Sequence, residues 1–240
     1  MASSDDDADD WRDLVHYQGI EDLPKGAQSG AFIQSQRGQI QTTLRAAIDD
    51  LHSHFPSDLP SVKPIRDPDA MGPLVSDLIH AFPDSLIPSI RVPAGIAEFW
   101  LLTGETEPTS TASFGLPTIP ADADLLHPKV PGLARISLDY DEEVDGPYAE
   151  KVGFWVACIA PLSDGSVRKR RKSSQAETEF GKIYFGDVSG KEGIKPVAES
   201  FEEFVSLWTE FMVECEWNEA ATDADRHDLL GEFYGSFNED

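Results

Sequence analysis

The sequence predicts an α+β single domain: N-terminal amphipathic helices, a mixed, largely antiparallel sheet, and a long C-terminal helix packed on it. Three observations predict it. Apolar residues recur at steps of three and four from about residue 35 to residue 103. Between 133 and 185 the pattern changes to alternation and short apolar runs, as strands require. From Phe201 the helical spacing returns and holds for about four turns.

Residues 1–31 read as an acidic, partly disordered arm. It opens MASSDDDADD, then mixes Trp11, Leu14, Val15 and Tyr17 with Gly and Pro, which suits an extended segment packed on the rest. The domain proper is expected over residues 32–218. Its first helix spans about Ser35 to His54, with Ile40, Leu44, Ala47, Ile48, Leu51 and Phe55 on one face. After a Pro-rich connector, Asp67 is placed to cap and Pro68 to open a second helix. Met71, Leu74, Val75, Leu78, Ile79 and Phe82 form its apolar side. Pro93 starts a short third helix with Ile96, Phe99 and Trp100 inward, stopping near Gly104.

Leu133–Asp139 alternates apolar and polar residues and reads as a half-buried strand. The run Val152–Ala160 is almost wholly apolar and suits a central strand, and Phe180–Phe185 supplies a third. Residues 163–178 are polar and charged and read as a mobile basic loop. In the long helix, Phe201, Phe204, Val205, Trp208, Phe211, Met212 and Cys215 share a face that belongs to the core. Ser200 and Glu203 have the spacing of a capping box, and Glu199, Glu202 and Glu203 suit the positive end of the helix dipole. Trp100, Trp155 and Trp208 are assigned to the core. Residues 219–240 form a short helix, with Thr222 as cap and Leu229, Leu230, Phe233 and Tyr234 on one side, followed by an acidic tail.

Charge narrows the function. Lys plus Arg number 19 and Asp plus Glu 44 in 240 residues, a formal charge of −25. That argues against binding nucleic acid or an anionic membrane, which need basic surface, and favours high solubility or a basic protein partner; no cofactor is expected. The simpler reading is a solvated acidic surface. No apolar run approaches the ~20 residues of a membrane span. No signal-peptide pattern is present, so a cytoplasmic protein is expected, with a nuclear location open. The two cysteines, Cys158 and Cys215, lie in apolar runs and read as small buried hydrophobes.

Four motifs have a functional and a bland reading. Ser189-Gly190-Lys191 lacks the first glycine of a phosphate loop, because position 185 is Phe, and Glu follows the lysine. It reads as a Gly turn. Asp139, Asp141, Glu143, Asp145 and Gly146 partly match a calcium loop, but Val152 stands where the bidentate glutamate is needed. A solvated acidic turn fits better. His52 and His54 point in different directions on a helix, beside Asp49 and Asp50 only, which is weak for a metal. Arg168–Ser174 (RKRRKSS) leaves open a nuclear-import signal, phosphorylation of Ser173 or Ser174, a fold-back onto the acidic surface, or a soluble loop. No catalytic, cofactor or metal residue is singled out, and the binding residues are unassigned.

Three segments carry a family resemblance. Pro93-Ala-Gly-Ile-Ala-Glu-Phe-Trp-Leu-Leu-Thr-Gly104 is similar to the proline, short helix and small turn of the SUKH superfamily. Gly181-Lys-Ile-Tyr-Phe-Gly-Asp187 resembles its strand and Gly-Asp turn, and Val197-Ala-Glu-Ser-Phe-Glu-Glu-Phe204 its closing helix. Thr103-Gly104 stands where that family usually has Asn-Gly, the 163–178 loop is long, and both ends carry extra sequence. The superfamily includes fungal cell-wall-synthesis regulators and bacterial immunity proteins. The resemblance implies an α+β domain that is a non-enzymatic protein-binding module, either neutralising a toxin or regulating cell-wall synthesis or signalling. An unassigned hydrolase acting through a carboxylate pair is the alternative, and a Ca²⁺-responsive acidic protein a third reading.

Overall fold

The computed structural model describes residues 10–24, 29–54, 64–104, 117, 119, 126–138, 152–161, 178–187, 193–214, 231–233 and 235–237. In chain order the named elements are β1 (Val15–His16), α1 (Ser29–His54), α2 (Met71–His80), β2 (Val92–Pro93), α3 (Ala94–Thr103), β3 (Leu133–Ile136), β4 (Val152–Ala157), β5 (Ile183–Asp187), β6 (Ile194–Ala198) and α4 (Phe201–Glu214). Short 3₁₀ turns precede β1 and α2 and follow β1 and α2. The α+β class read from the sequence is the one observed.

The sheet is a four-stranded antiparallel meander in the order β3-β4-β5-β6. Its register sorts the side chains by period two. Ile136, Phe154 and Phe185 stand opposite one another, as do Ala134, Val156 and Ile183, and this face joins the helices in the main core. Leu133, Trp155, Ala157 and Tyr184 point to the other face and form a second buried cluster. β4 is therefore buried on both faces, which explains its unbroken apolar sequence. The expected mixed sheet is resolved into two: the parallel pair β1–β2 stands apart from the antiparallel meander.

α3 is the hub of the helical layer. Ala94, Gly95, Ile96, Ala97, Glu98, Phe99, Leu102 and Thr103 are all buried, so the helix is enclosed almost all round. Pro93 precedes it and Gly104, at φ 76°, ends it, as the sequence predicts. Trp155 and Trp208 are fully buried, whereas Trp100 is only half-buried because α3 spends that side at the rim of the core. α1 packs most extensively against α4 and next against α3. It begins at Ser29, ahead of the expected Ser35, and Ile40, Leu44, Ala47, Ile48 and Leu51 face inward; Phe55 lies outside the described residues. In α2, Met71, Val75, Leu78 and Ile79 are buried and Leu74 is half-buried. Asp67 accepts a hydrogen bond from Asp69 N at 3.1 Å, capping the 3₁₀ turn that leads into this helix.

Three features of the C-terminal part differ from expectation. Gly186-Asp187 is not a turn: both residues pair with β4, and a Cβ at Gly186 would press on the backbone of Gly193 and Ile194. A further strand, β6, intervenes before α4, so Val197 and Ala198 are extended rather than helical. Among the described residues β6 is an edge strand, where Pro196 is tolerated, and the register shifts beside it. The capping box is present in shifted form. Glu203 N donates to Ser200 Oγ at 3.3 Å, while Glu203 Oε2 accepts from Glu199 N at 2.7 Å, one residue beyond the usual partner. Of the last predicted helix, 231–233 and 235–236 are helical and Phe233 is buried; Thr222, Leu229, Leu230 and Tyr234 lie outside the described residues.

Candidate functional site

The most elaborate polar constellation among the described residues surrounds Glu98. Its side chain is 4% exposed, a carboxylate drawn into the helical layer by the otherwise uncharged α3. A buried charge needs a partner and a full set of hydrogen bonds. Tyr17 Oη donates to Glu98 Oε1 at 3.2 Å and Gln41 Nε2 donates to Oε2 at 2.7 Å. Arg37 Nε lies 2.9 Å from Oε1, an ion pair at the half-exposed rim whose N–H is not aimed along a hydrogen-bond line. Three separate parts of the chain thus meet on one carboxylate: the segment after β1, the middle of α1, and α3. Burial, then the negative charge of Glu98, push the Tyr17 phenol up to about 12. Tyr17 is a fixed donor here. Both carboxylate oxygens are engaged, an arrangement that fastens elements together.

Glu202 is the second carboxylate of interest. It lies half-buried in the first turn of α4, and burial raises its pKa above the usual carboxylate range, Ser200 and its own backbone N–H opposing. Its position depends on Gly95, where a Cβ would collide with Glu202 Oε2 and come within 3.2 Å of Phe201 Cβ. Nearby, Lys182 Nζ bridges Glu199 at 2.9 Å and Glu179 at 3.1 Å, and these bonds raise its pKa.

On the far side of the sheet, His127 is buried and Nδ1 accepts from Val130 N at 3.0 Å and from Lys129 N at 3.2 Å. Two donors on Nδ1 place the neutral ring's proton on Nε2. The ring stands edge-on to Trp155 at 4.7 Å, closing the second cluster. The Cys158 thiol is fully buried and pushed up to about 12 by that burial, so it packs as an apolar group.

α4 turns a charged face outward. Glu203, Glu210 and Glu214 are exposed and fall within a narrow arc, and the helix contains no Lys or Arg. A broad shallow depression of about 560 Å³ runs along the exposed side of α1 past Ser35, Gly38 and Thr42.

Few of the sequence motifs enter any site. His54 Nδ1 lies 2.9 Å from Asp50 O and 3.4 Å from Asp50 Oδ1, an end-of-helix contact. Among the described residues no three His, Cys, Asp or Glu side chains come together as a metal site. Ser189-Gly190-Lys191, the 139–146 acidic segment, Arg168–Ser174 and Cys215 lie outside the described residues. Glu98 was not singled out from the sequence, although a signal existed: it is the one charge in Ala94–Thr103. Among the described residues no helix is long and apolar enough to cross a membrane. No family model, no curated protein and no solved structure matches this chain.

Proposed function

We propose that this chain is a non-enzymatic protein-binding module of SUKH-like type whose partner is a basic protein. The observation that carries the reading is the outward face of α4, where Glu203, Glu210 and Glu214 stand without a basic residue in the helix, on a chain of formal charge −25. Such a face steers and orients a positively charged partner, and its effect decays over ~8 Å at physiological salt. Sequestering a basic toxin and scaffolding a cell-wall or signalling regulator both use that chemistry. The best-buried carboxylate among the described residues supports the same reading, since Glu98 is committed to Tyr17, Gln41 and Arg37. Its location follows from the reading: a cytoplasmic or nuclear compartment where such a partner is met.

The test is capture of the tagged chain's partners from its own host's lysate at about 50 and about 300 mM salt. It is run beside a variant carrying Glu210→Lys and Glu214→Lys, which leaves the Glu203 cap intact. A basic partner retained at low salt, lost at high salt and lost by the variant supports the proposal. Equal retention by the variant, or indifference to salt, removes α4 and its charge from the account.

A further inference from the structure

We propose that residues Asp10–Leu23 form a strap that opens and closes as one unit on an otherwise intact fold, with Gln18 as its latch. The inference is independent of the partner proposed above. It rests on how the strap is held. None of its residues is fully buried, while residues it touches are: Val92 is 0% exposed and Glu98 is 3% exposed. Its strand pairing is minimal, Val15 with Val92 and His16 with Pro93, and Pro93 has no N–H to offer. Segments with little buried surface and few ladder bonds occupy the low-stability end of a fold.

Trp11, Leu14, Val15 and Tyr17 pack half-buried on the main core, and polar contacts at three places fix the strap over it. Tyr17 reaches Glu98 on α3. Gln18 Nε2 donates to Phe180 O at 2.8 Å and to Glu199 O at 3.0 Å, spanning the entry to β5 and the end of β6. Gln18 is itself exposed, and its amide lies directly over Gly181. Gly181 has φ +80°, and a Cβ there would occupy the space of the Gln18 side chain. His16 adds an edge-on contact with Phe180 at 5.0 Å. One buried group favours release: Trp11 Nε1 has no hydrogen-bond partner among the described residues, and lifting the strap gives that donor to water. Gln18 ties the strap to both the β5 entry and the α4 approach, so losing it releases two attachments at once and lowers the free energy of opening the segment. Opening uncovers Val92 and the Tyr17 side of the Glu98 carboxylate.

Hydrogen exchange by mass spectrometry on the full chain tests this, comparing wild type with Gln18→Ala and, separately, Tyr17→Phe. In wild type, amides of residues 10–23 exchange at least about tenfold faster than those of Ile40–Leu51. Gln18→Ala speeds the strap by a further factor of about ten, with α1 and α4 unchanged, and Tyr17→Phe does so less strongly. Strap amides exchanging at the core's rate overturn the proposal. A Gln18→Ala strap no faster than wild type, or a variant in which every element accelerates equally, does the same.

Discussion

Replacing Glu98 with Gln tests whether the carboxylate's charge, rather than its shape, joins α1, α3 and the N-terminal segment. The substitution keeps the size and one acceptor. It removes the charge facing Arg37 and sets an amide NH₂ where Oε2 accepted from Gln41 at 2.7 Å. Gln41 is half-buried and can turn its own amide to answer, so no donor need stay stranded. The loss is then the ion pair with a half-exposed arginine, ~1 kcal/mol or less. Two charge-assisted bonds also become neutral ones, at about 0.5–1 kcal/mol each. The expected destabilisation is about 2 kcal/mol. Urea unfolding followed by Trp fluorescence reads it; with an m-value of about 3 kcal/mol/M the midpoint falls by roughly 0.7 M. A double-mutant cycle with Tyr17→Phe should give a coupling of about 1 kcal/mol, since Tyr17 donates to the same group. A Glu98→Gln protein within ~0.5 kcal/mol of wild type, together with additive behaviour in the cycle, would refute the reasoning, because the network would then be packing alone.

Two further outcomes follow from the core and from Glu202. Phe154 is 0% exposed and meets Phe185, Phe204 and Phe233 at ring distances of 4.9–5.5 Å. Phe154→Ala should cost about 3–5 kcal/mol in urea unfolding, and a loss under ~2 kcal/mol would mean the sheet and α4 collapse onto the vacancy. For Glu202 the folded pKa lies above the unfolded one. The stability linked to its protonation is therefore complete below the ordinary value of 4.5 and is lost as pH rises through the raised folded value. Glu202→Gln should match wild type at pH 4 and exceed it at pH 7; an equal difference at both values excludes burial as the cause.

The sequence was legible where burial has a period. Val75, Leu78 and Ile79 in α2, and Phe201, Phe204, Val205, Trp208 and Met212 in α4, lie inward because one face of each helix meets the core. β4 was legible for the opposite reason, being apolar on both faces. What escaped has no period to read. β1 and β2 are two residues each, too short for alternation, and are joined only by the folded chain. β6 hides behind Lys195 and Pro196, residues an edge strand tolerates and a central one does not. α1 begins early through Gly30, where local propensity opposes the helix. The Glu98 network draws Tyr17, Arg37 and Gln41 from distant positions, and spacing along the chain does not reveal such a meeting.

The acidic face of α4 is a cost as well as a surface. Glu210 and Glu214 are four residues apart, neighbours on the helix, and no Lys or Arg in the helix relieves them. Like charges at that spacing destabilise a helix by a few tenths of a kcal/mol. At the other end of α4 the chain handles its acids differently. Glu203 is spent on the Glu199 N–H, Glu199 itself is paired with Lys182, and Glu202 sits against Gly95 near the positive pole of the dipole. The N-terminal glutamates are thus accounted for by local structure, while Glu210 and Glu214, toward the negative pole, make the helix less stable than neutral residues would. A basic partner docked along α4 would turn that repulsion into attraction. This is why the C-terminal half of α4 carries more weight in the binding proposal than the chain's overall charge.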